Sequence, residues 1–335
     1  MQSLLNIPRE KSDAIDRHLF SDSFPARIRM TQTKLAPAPA ALSARGADRA
    51  KYPCRAGQWE LVSFAACGSL ANVFRARPAD AAGANASYAL KILRSEHAAN
   101  PRAVRLLARE AEVGSSVADP HLIPIFSAAL LRPPYYVVMP WLEGATLERR
   151  LAGGRTLDLP RALWIVRQTA EALAALDRAG WMHGDVKPGN LMISPAGHVT
   201  LMDLNFARRG EESGAAVDRC ILGTFYYIAP ELLTSAMRAD IRSDIYSLGV
   251  VFYEMLGGRR PFEAEDMAEL ASQHLRSAPP DLKESAPHLS GGVARLVRRM
   301  IAKDPSRRPQ SPAELIAELM RLEIETFSER DNITD

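Results

Sequence analysis

The chain reads as an α+β protein of two lobes: a small antiparallel β-rich lobe with one main helix, then a larger, mainly helical lobe. Three observations lead there. Short β-prone runs separated by Gly- and Ala-rich turns begin at Trp59 and recur to Leu93. One helical stretch, residues 102–117, follows, and an apolar strand at residues 135–139 comes after it. Beyond Gly144, apolar residues return at helical spacing in segment after segment.

Taken in order, residues 1–56 mix charge with Ala and Pro, most densely over 35–42, and hold no sustained period. That composition predicts a flexible leader. Within it, residues 12–20 have the makings of a transient helix or docking segment, with an unstructured tail the favoured reading. The first lobe is placed at residues 57–142. Its strands are expected at 59–64, 72–76 and 87–93, and Asp119-Pro120 stops the helix at 102–117. The second lobe is placed at 143–325, with helices expected at 163–179, 245–256, 267–276, 293–302 and 313–323, and residues 326–335 form a tail. No internal repeat is evident.

Composition narrows the class of function. With 47% hydrophobic and 24% charged residues the chain is of globular type, and 42 basic against 39 acidic side chains give no warrant for a nucleic-acid partner. Cys54, Cys67 and Cys220 are odd in number and lack C-x-x-C spacing, which argues against a disulfide framework or a zinc site and fits a reducing cytoplasm. No apolar run reaches the roughly 18 residues of a membrane span, and the N-terminus has no signal-peptide pattern.

The chemistry concentrates in His183-Gly184-Asp185-Val186-Lys187-Pro188-Gly189-Asn190 and in Asp203-Leu204-Asn205. Two carboxylates, an amide and a lysine stand there at a spacing suited to phosphoryl transfer. One Asp can hold an acceptor hydroxyl, while Asn190 and Asp203 offer oxygen ligands to Mg²⁺.

These two stretches resemble the catalytic loop H-R-D-x-x-x-x-N and the metal motif D-F-G of the protein kinase family, and the fold is accordingly expected to be protein-kinase-like. The resemblance implies ATP and Mg²⁺ as cofactors and a protein Ser/Thr hydroxyl as acceptor. It casts Asp185 as the acceptor-orienting base, Lys187 as a stabiliser of the migrating phosphoryl group, and Asn190 and Asp203 as metal ligands. Lysine two positions after the Asp is the serine/threonine-type pattern. His183 is expected to brace the loop.

Upstream, residues 66–73 resemble the Gly-rich loop G-x-G-x-x-G-x-V with its middle glycine, Gly68, kept; Ala66 and Ala71 take the outer positions and Val73 the last. Tyr88-Ala89-Leu90-Lys91 resembles V-A-I-K, which implies that Lys91 serves the α- and β-phosphates and pairs with Glu110, with Glu112 as the runner-up. Residues 137–144 resemble the interlobe hinge. There Met139 would guard the back pocket, Pro140 would keep only its carbonyl for the adenine, and Leu142 would donate and accept.

Downstream, residues 223–231 resemble G-T-x-x-Y-x-A-P-E, which implies a buried Glu231–Arg308 pair, and Asp244 resembles the helix-start Asp that hydrogen-bonds the catalytic-loop backbone. The resemblance covers residues 59–322. Three departures stand out. Gly184 replaces the Arg that usually anchors a phosphate on the activation segment, so activity is expected without phosphorylation at Ser213 or Thr224. Leu204 replaces Phe. Asn205 replaces Gly, where left-handed backbone is anticipated and Asn is the best-tolerated non-glycine residue.

Two other functions compete. A pseudokinase scaffold would account for the reduced Gly-rich loop, Gly184 and Asn205, but it has no chemical need for Lys91, Asp185, Asn190 and Asp203 together. Small-molecule phosphotransferases share H-G-D-x-x-x-x-N but lack the Ala-Pro-Glu segment with its Arg partner. Cys67, in the loop over the phosphates, is read as a small tolerated side chain in preference to a redox switch. Oligomeric state is not written in these residues.

Overall fold

A computed structural model describes residues 52–81, 83–210, 224–234 and 239–331. The readings of residues 1–51, Ser213, Cys220, Gly223 and 332–335 lie outside the described residues. Within them the chain divides into two compact units, 52–116 with 125–139, and 117–124 with 140–331.

The first unit is built on a six-stranded sheet. Its strands are β1 (Cys54–Ala56), β2 (Trp59–Cys67), β3 (Ala71–Pro78), β4 (Tyr88–Leu93), β5 (Ser127–Ala129) and β6 (Tyr136–Pro140), in spatial order β1-β2-β3-β4-β6-β5. The pairs β1/β2, β2/β3, β3/β4 and β5/β6 are antiparallel. Cys54–Ala56 falls inside the expected leader yet pairs with Trp59–Leu61. Three residues are too few to show alternation, so the period of the sequence could not reveal this strand.

Alternation divides the apolar residues between the two faces of the sheet. Leu61, Phe74, Leu90, Ile92 and Val138 form one cluster with Trp59. Leu93 and Val137 belong to the other, with Ala103, Leu107 and Ala111 of helix α1 (Pro101–Ser116). Phe74 is fully buried, in edge contact with Phe64 at 5.6 Å between ring centroids. Burial of that ring contributes roughly 2–3 kcal/mol. Helix α1 opens with Pro101 at a position where a missing N–H is harmless, and Asn100 Oδ1 accepts from Arg102 N at 3.0 Å.

Residues 117–124, placed by the sequence in the first lobe, group with the second unit. Ile123 N donates to Leu201 O at 3.0 Å and Leu201 N to His121 O at 2.8 Å. The helices of this unit are α2 (Leu147–Leu151), α3 (Leu159–Arg178), α4 (Ile241–Gly257), α5 (Met267–Arg276), α6 (Leu282–Ser285), α7 (Gly291–Met300) and α8 (Pro312–Asp331). Helix α4 is buried along nearly its whole length and packs against α3, α6 and α7. Asp158, Asp240, Asp266 and Ser290 accept backbone N–H bonds at the starts of α3, α4, α5 and α7, so short polar side chains set where these helices begin. Helix α8 continues to Asp331, past the expected tail boundary at 325.

The region beyond Gly144 is less purely helical than its sequence predicts. Strands β7 (Ala145–Thr146), β9 (Leu191–Ile193) and β10 (Val199–Leu201) form a small sheet, and β8 (Trp181–Met182) pairs with β11 (Arg208–Arg209). They bracket the 183–190 and 203–205 motifs and hold both in place.

Candidate active site

In the first unit, the cross-strand register sets Ala66 opposite Val73 and Val73 opposite Lys91, one row across β2, β3 and β4. Ala89, two residues before Lys91 and so on the same face, is buried. Lys91 Nζ lies 2.7 Å from Glu110 Oε2 on α1, with the carboxylate side chain 1% exposed and the ammonium side chain 13%. The ion pair implied by the resemblance therefore forms with Glu110; Glu112 faces Arg109 at 3.7 Å instead.

Gly68 makes the turn between β2 and β3, its N–H donating to Ala71 O at 2.8 Å, and a Cβ there would stand 2.9 Å from that same oxygen. This is why the middle glycine is the one retained. Ala71 opens β3. Met139 packs against the cluster under α1, Pro140 closes β6, and Leu142 follows in irregular chain.

In the second unit, β8 delivers the catalytic-loop sequence into a dense hydrogen-bond network. Asp244, near the start of α4 and 1% exposed, accepts His183 N at 2.6 Å and Gly184 N at 2.8 Å, one on each carboxylate oxygen. Gly184 has φ +79, a left-handed conformation in which glycine carries no Cβ penalty. His183 is fully buried; its Nδ1 accepts Asp185 N at 3.2 Å, so its Nε2 is the N–H that meets Met202 O at 3.0 Å. Burial pushes the imidazole pKa down against the pull of Asp244, which leaves a neutral ring with a defined tautomer.

Asp185 is 4% exposed. Its Oδ2 takes Lys187 Nζ at 2.7 Å and Asn190 Nδ2 at 3.0 Å, and the same amide nitrogen also reaches Asp185 O at 2.8 Å. Oδ1 is buried and, among the described residues, has no hydrogen-bond partner. Burial pushes the Asp185 carboxyl pKa above its ordinary range, with Asp203 adding to the shift and Lys187 and Asn190 opposing it. Asn190 closes a short 3₁₀ turn over Pro188–Asn190.

Asp203 has φ 66 and ψ 71, and among the described residues it is the one non-glycine residue with positive φ. This corrects the expectation at Asn205. The left-handed turn falls on the acidic residue itself, whereas Asn205 sits in the 3₁₀ turn Leu204–Phe206, where no glycine is required. Strain at a carboxylate is a frequent mark of a working site.

Beneath this loop, Arg308 Nη1 and Nη2 meet Glu231 Oε1 and Oε2 at 2.7 and 2.9 Å, with both side chains essentially without solvent contact. Ser243 Oγ donates to Glu231 Oε1 at 2.6 Å. Arg94 and His97, which the sequence reading does not single out, contact the Gly68 turn; only the position of Arg94 directly after β4 hints at it.

Comparison with known proteins agrees with this geometry. A family profile described as a protein kinase domain matches residues 66–320. The serine/threonine-protein kinase PrkC of Bacillus subtilis is 29% identical over 279 residues, covering 83% of this chain and 42% of that protein. The serine/threonine-protein kinase PknB of Mycobacterium tuberculosis is 33% identical over 242 residues, covering 70% and 38%. PknB of Mycobacterium leprae is 30% identical over 275 residues, covering 81% and 44%. The chain thus spans less than half the length of these curated relatives. No helix among the described residues is long and apolar enough to cross a membrane. With the profile matched over most of the chain and relatives of one type, the chain belongs to the protein kinase superfamily, among its bacterial-type serine/threonine members.

Proposed function

We propose that the chain is a serine/threonine protein kinase that transfers the γ-phosphoryl group of ATP to a protein hydroxyl with Mg²⁺ as cofactor. The observation that carries this reading is the state of Asp185. One of its oxygens is committed to Lys187 and Asn190, and the other is buried and, among the described residues, unpartnered, so an acceptor O–H arriving there meets an unsatisfied base.

The donor set suits the cofactors. Asp203 and Asn190 present oxygen, the atom a hard divalent cation prefers, and because the Asn190 NH₂ is spent on Asp185 its carbonyl oxygen is the end left to ligate. Bound Mg²⁺ would neutralise charge on the phosphate oxygens. Lys91, aimed by Glu110, would hold the α- and β-phosphates, and Ala66, Gly68, Ala71 and Val73, on the two strands and the turn between them, would cover the triphosphate, with Ala89, Met139, Pro140 and Leu142 serving the adenine. Lys187 stabilises the transferring phosphoryl group, and its contact with Asp185 keeps the carboxylate oriented. The neutral His183 fixes the backbone of the loop without exchanging a proton.

Activity independent of activation-segment phosphorylation is part of the same proposal. Gly184 offers no guanidinium for a phosphate, and Asp244 already ties its backbone. The reaction is assigned to the cytoplasm, where ATP is available and Cys54 and Cys67 remain thiols. Protein acceptors are favoured over small molecules by the Ala229-Pro230-Glu231 segment and its Arg308 brace.

Transfer of radiolabel from ATP to a generic protein substrate tests the proposal, with Asp185→Asn as control. Equal labelling by the two proteins would instead favour a pseudokinase scaffold. Labelling of a small alcohol or amino sugar with none of protein would move the chain to the small-molecule class. Loss of activity in Ser213→Ala or Thr224→Ala, with phosphate found at that residue, would end the claim of phosphorylation independence for it.

A further inference from the structure

We propose that Arg94 and His97 are positioning residues that shape the Gly68 turn into an anion-binding surface, replacing the conformational freedom of the two missing loop glycines. This rests on the nucleotide-binding reading above. Three successive carbonyls of the turn are held from one side. Gly68 O accepts Arg94 Nη1 at 3.2 Å, Ser69 O accepts His97 Nε2 at 3.0 Å and Arg94 Nη1 at 3.5 Å, and Leu70 O accepts the Arg94 backbone N–H at 2.9 Å. Arg94 Nη2 is itself anchored by Glu96.

A trans peptide is planar, with its C=O and the following N–H pointing opposite ways. Drawing the carbonyls of Gly68 and Ser69 toward Arg94 and His97 therefore turns the N–H groups of Ser69 and Leu70 toward the other side. Adjacent N–H groups facing one way form a concavity that binds anions. In a loop with three glycines such peptide orientations are reached through free φ/ψ rotation. Here Ala66 and Ala71 are locked in strand register, with Ala66 opposite Val73 and Ala71 opposite Leu93, and the guanidinium and imidazole fix the planes between them. Both come from the segment directly after β4, the strand that carries Lys91, so the ammonium and the two side chains that orient the turn belong to one stretch of chain.

The test is calorimetric titration of the full chain with a non-hydrolysable ATP analogue plus Mg²⁺, and separately with adenosine, which has no phosphate. For Arg94→Ala we expect analogue affinity to fall about tenfold and adenosine affinity to stay within about twofold. KM for ATP should rise in step while kcat stays within about threefold. His97→Ala should show a smaller loss of the same kind, and Arg94→Lys, which keeps a cationic donor group without the planar fork, an intermediate one. His97→Ala reads the Ser69 carbonyl independently should Arg94→Ala fold poorly. Unchanged analogue binding in both alanine variants overturns the inference, as does equal loss of analogue and adenosine, the mark of a merely structural role. A wild-type chain that holds neither ligand overturns the kinase reading itself, and this inference with it.

Discussion

Replacing Arg308 by alanine should destabilise the second unit more than any single surface change. The guanidinium has five N–H donors. The structure uses them all, two on Glu231 at 2.7 and 2.9 Å and the others on Ala302 O, Arg242 O and Lys303 O at 2.8, 2.9 and 3.1 Å. Removing it leaves the Glu231 carboxylate, 2% exposed, with only the Ser243 hydroxyl at 2.6 Å as compensation. Breaking one side of such a pair costs about 3–5 kcal/mol, because an uncompensated charge stays buried. At roughly 2–4 °C per kcal/mol for a unit of this size, the melting temperature should drop by about 6–20 °C. Urea unfolding followed through the fluorescence of Trp141, Trp164 and Trp181, all in this unit, reads the change as a lower midpoint. Arg308→Met combined with Glu231→Met should recover most of the loss, since replacing both partners by apolar groups removes the stranded charge. A cost below about 1 kcal/mol for Arg308→Ala, or a double variant no better than the single one, would refute the reasoning.

Three further outcomes follow from the site. The Asp185 carboxyl is raised above its unfolded value, so the native state binds that proton more tightly; stability is lost as pH rises from the unfolded pKa through the folded one. Asp185→Asn should therefore melt higher than wild type at neutral pH, with the gap closing below about pH 4, and an equal or lower melting temperature at pH 7 would contradict it. Lys91→Met removes the ammonium 2.7 Å from Glu110 and should cut kcat/KM for ATP roughly a hundredfold; activity near wild type would detach Lys91 from the phosphates. Asn205→Gly should leave activity unimproved and cost about 0.5–1 kcal/mol, because the left-handed residue is Asp203; a gain in kcat would show that the position needs glycine.

The two-unit plan was legible because its signals are periodic. Helices α3, α4, α5, α7 and α8 carry apolar residues at helical spacing, and strands β2, β3 and β4 are β-prone runs between turns, so their centres were found; α5 kept its expected bounds and β4 moved by one residue, while α3 and α4 begin at 159 and 241 rather than at 163 and 245. The bounds were set by caps such as Asp158 and Asp240, whose effect depends on a backbone geometry that one-dimensional pattern does not carry. Strands of two or three residues, β1, β7, β8 and β11 among them, hold too few residues to repeat the two-residue alternation and left no trace.

Residue types and spacing marked Asp185, Lys187, Asn190 and Asp203 as a set suited to phosphoryl transfer, and the resemblance to kinase motifs gave them their roles and added Lys91. Partnership and conformation came from the fold. Contacts between residues far apart in sequence joined Lys91 to Glu110, the partner the resemblance already favoured, and brought Arg94 and His97 onto the Gly68 turn; among the described residues they left one oxygen of Asp185 unpartnered and put the positive φ on Asp203 rather than on Asn205. Local sequence encodes which chemical groups are present and at what period they recur. Which of them meet depends on packing and on buried hydrogen-bond satisfaction, which couple positions such as Glu231 and Arg308 that no local pattern connects.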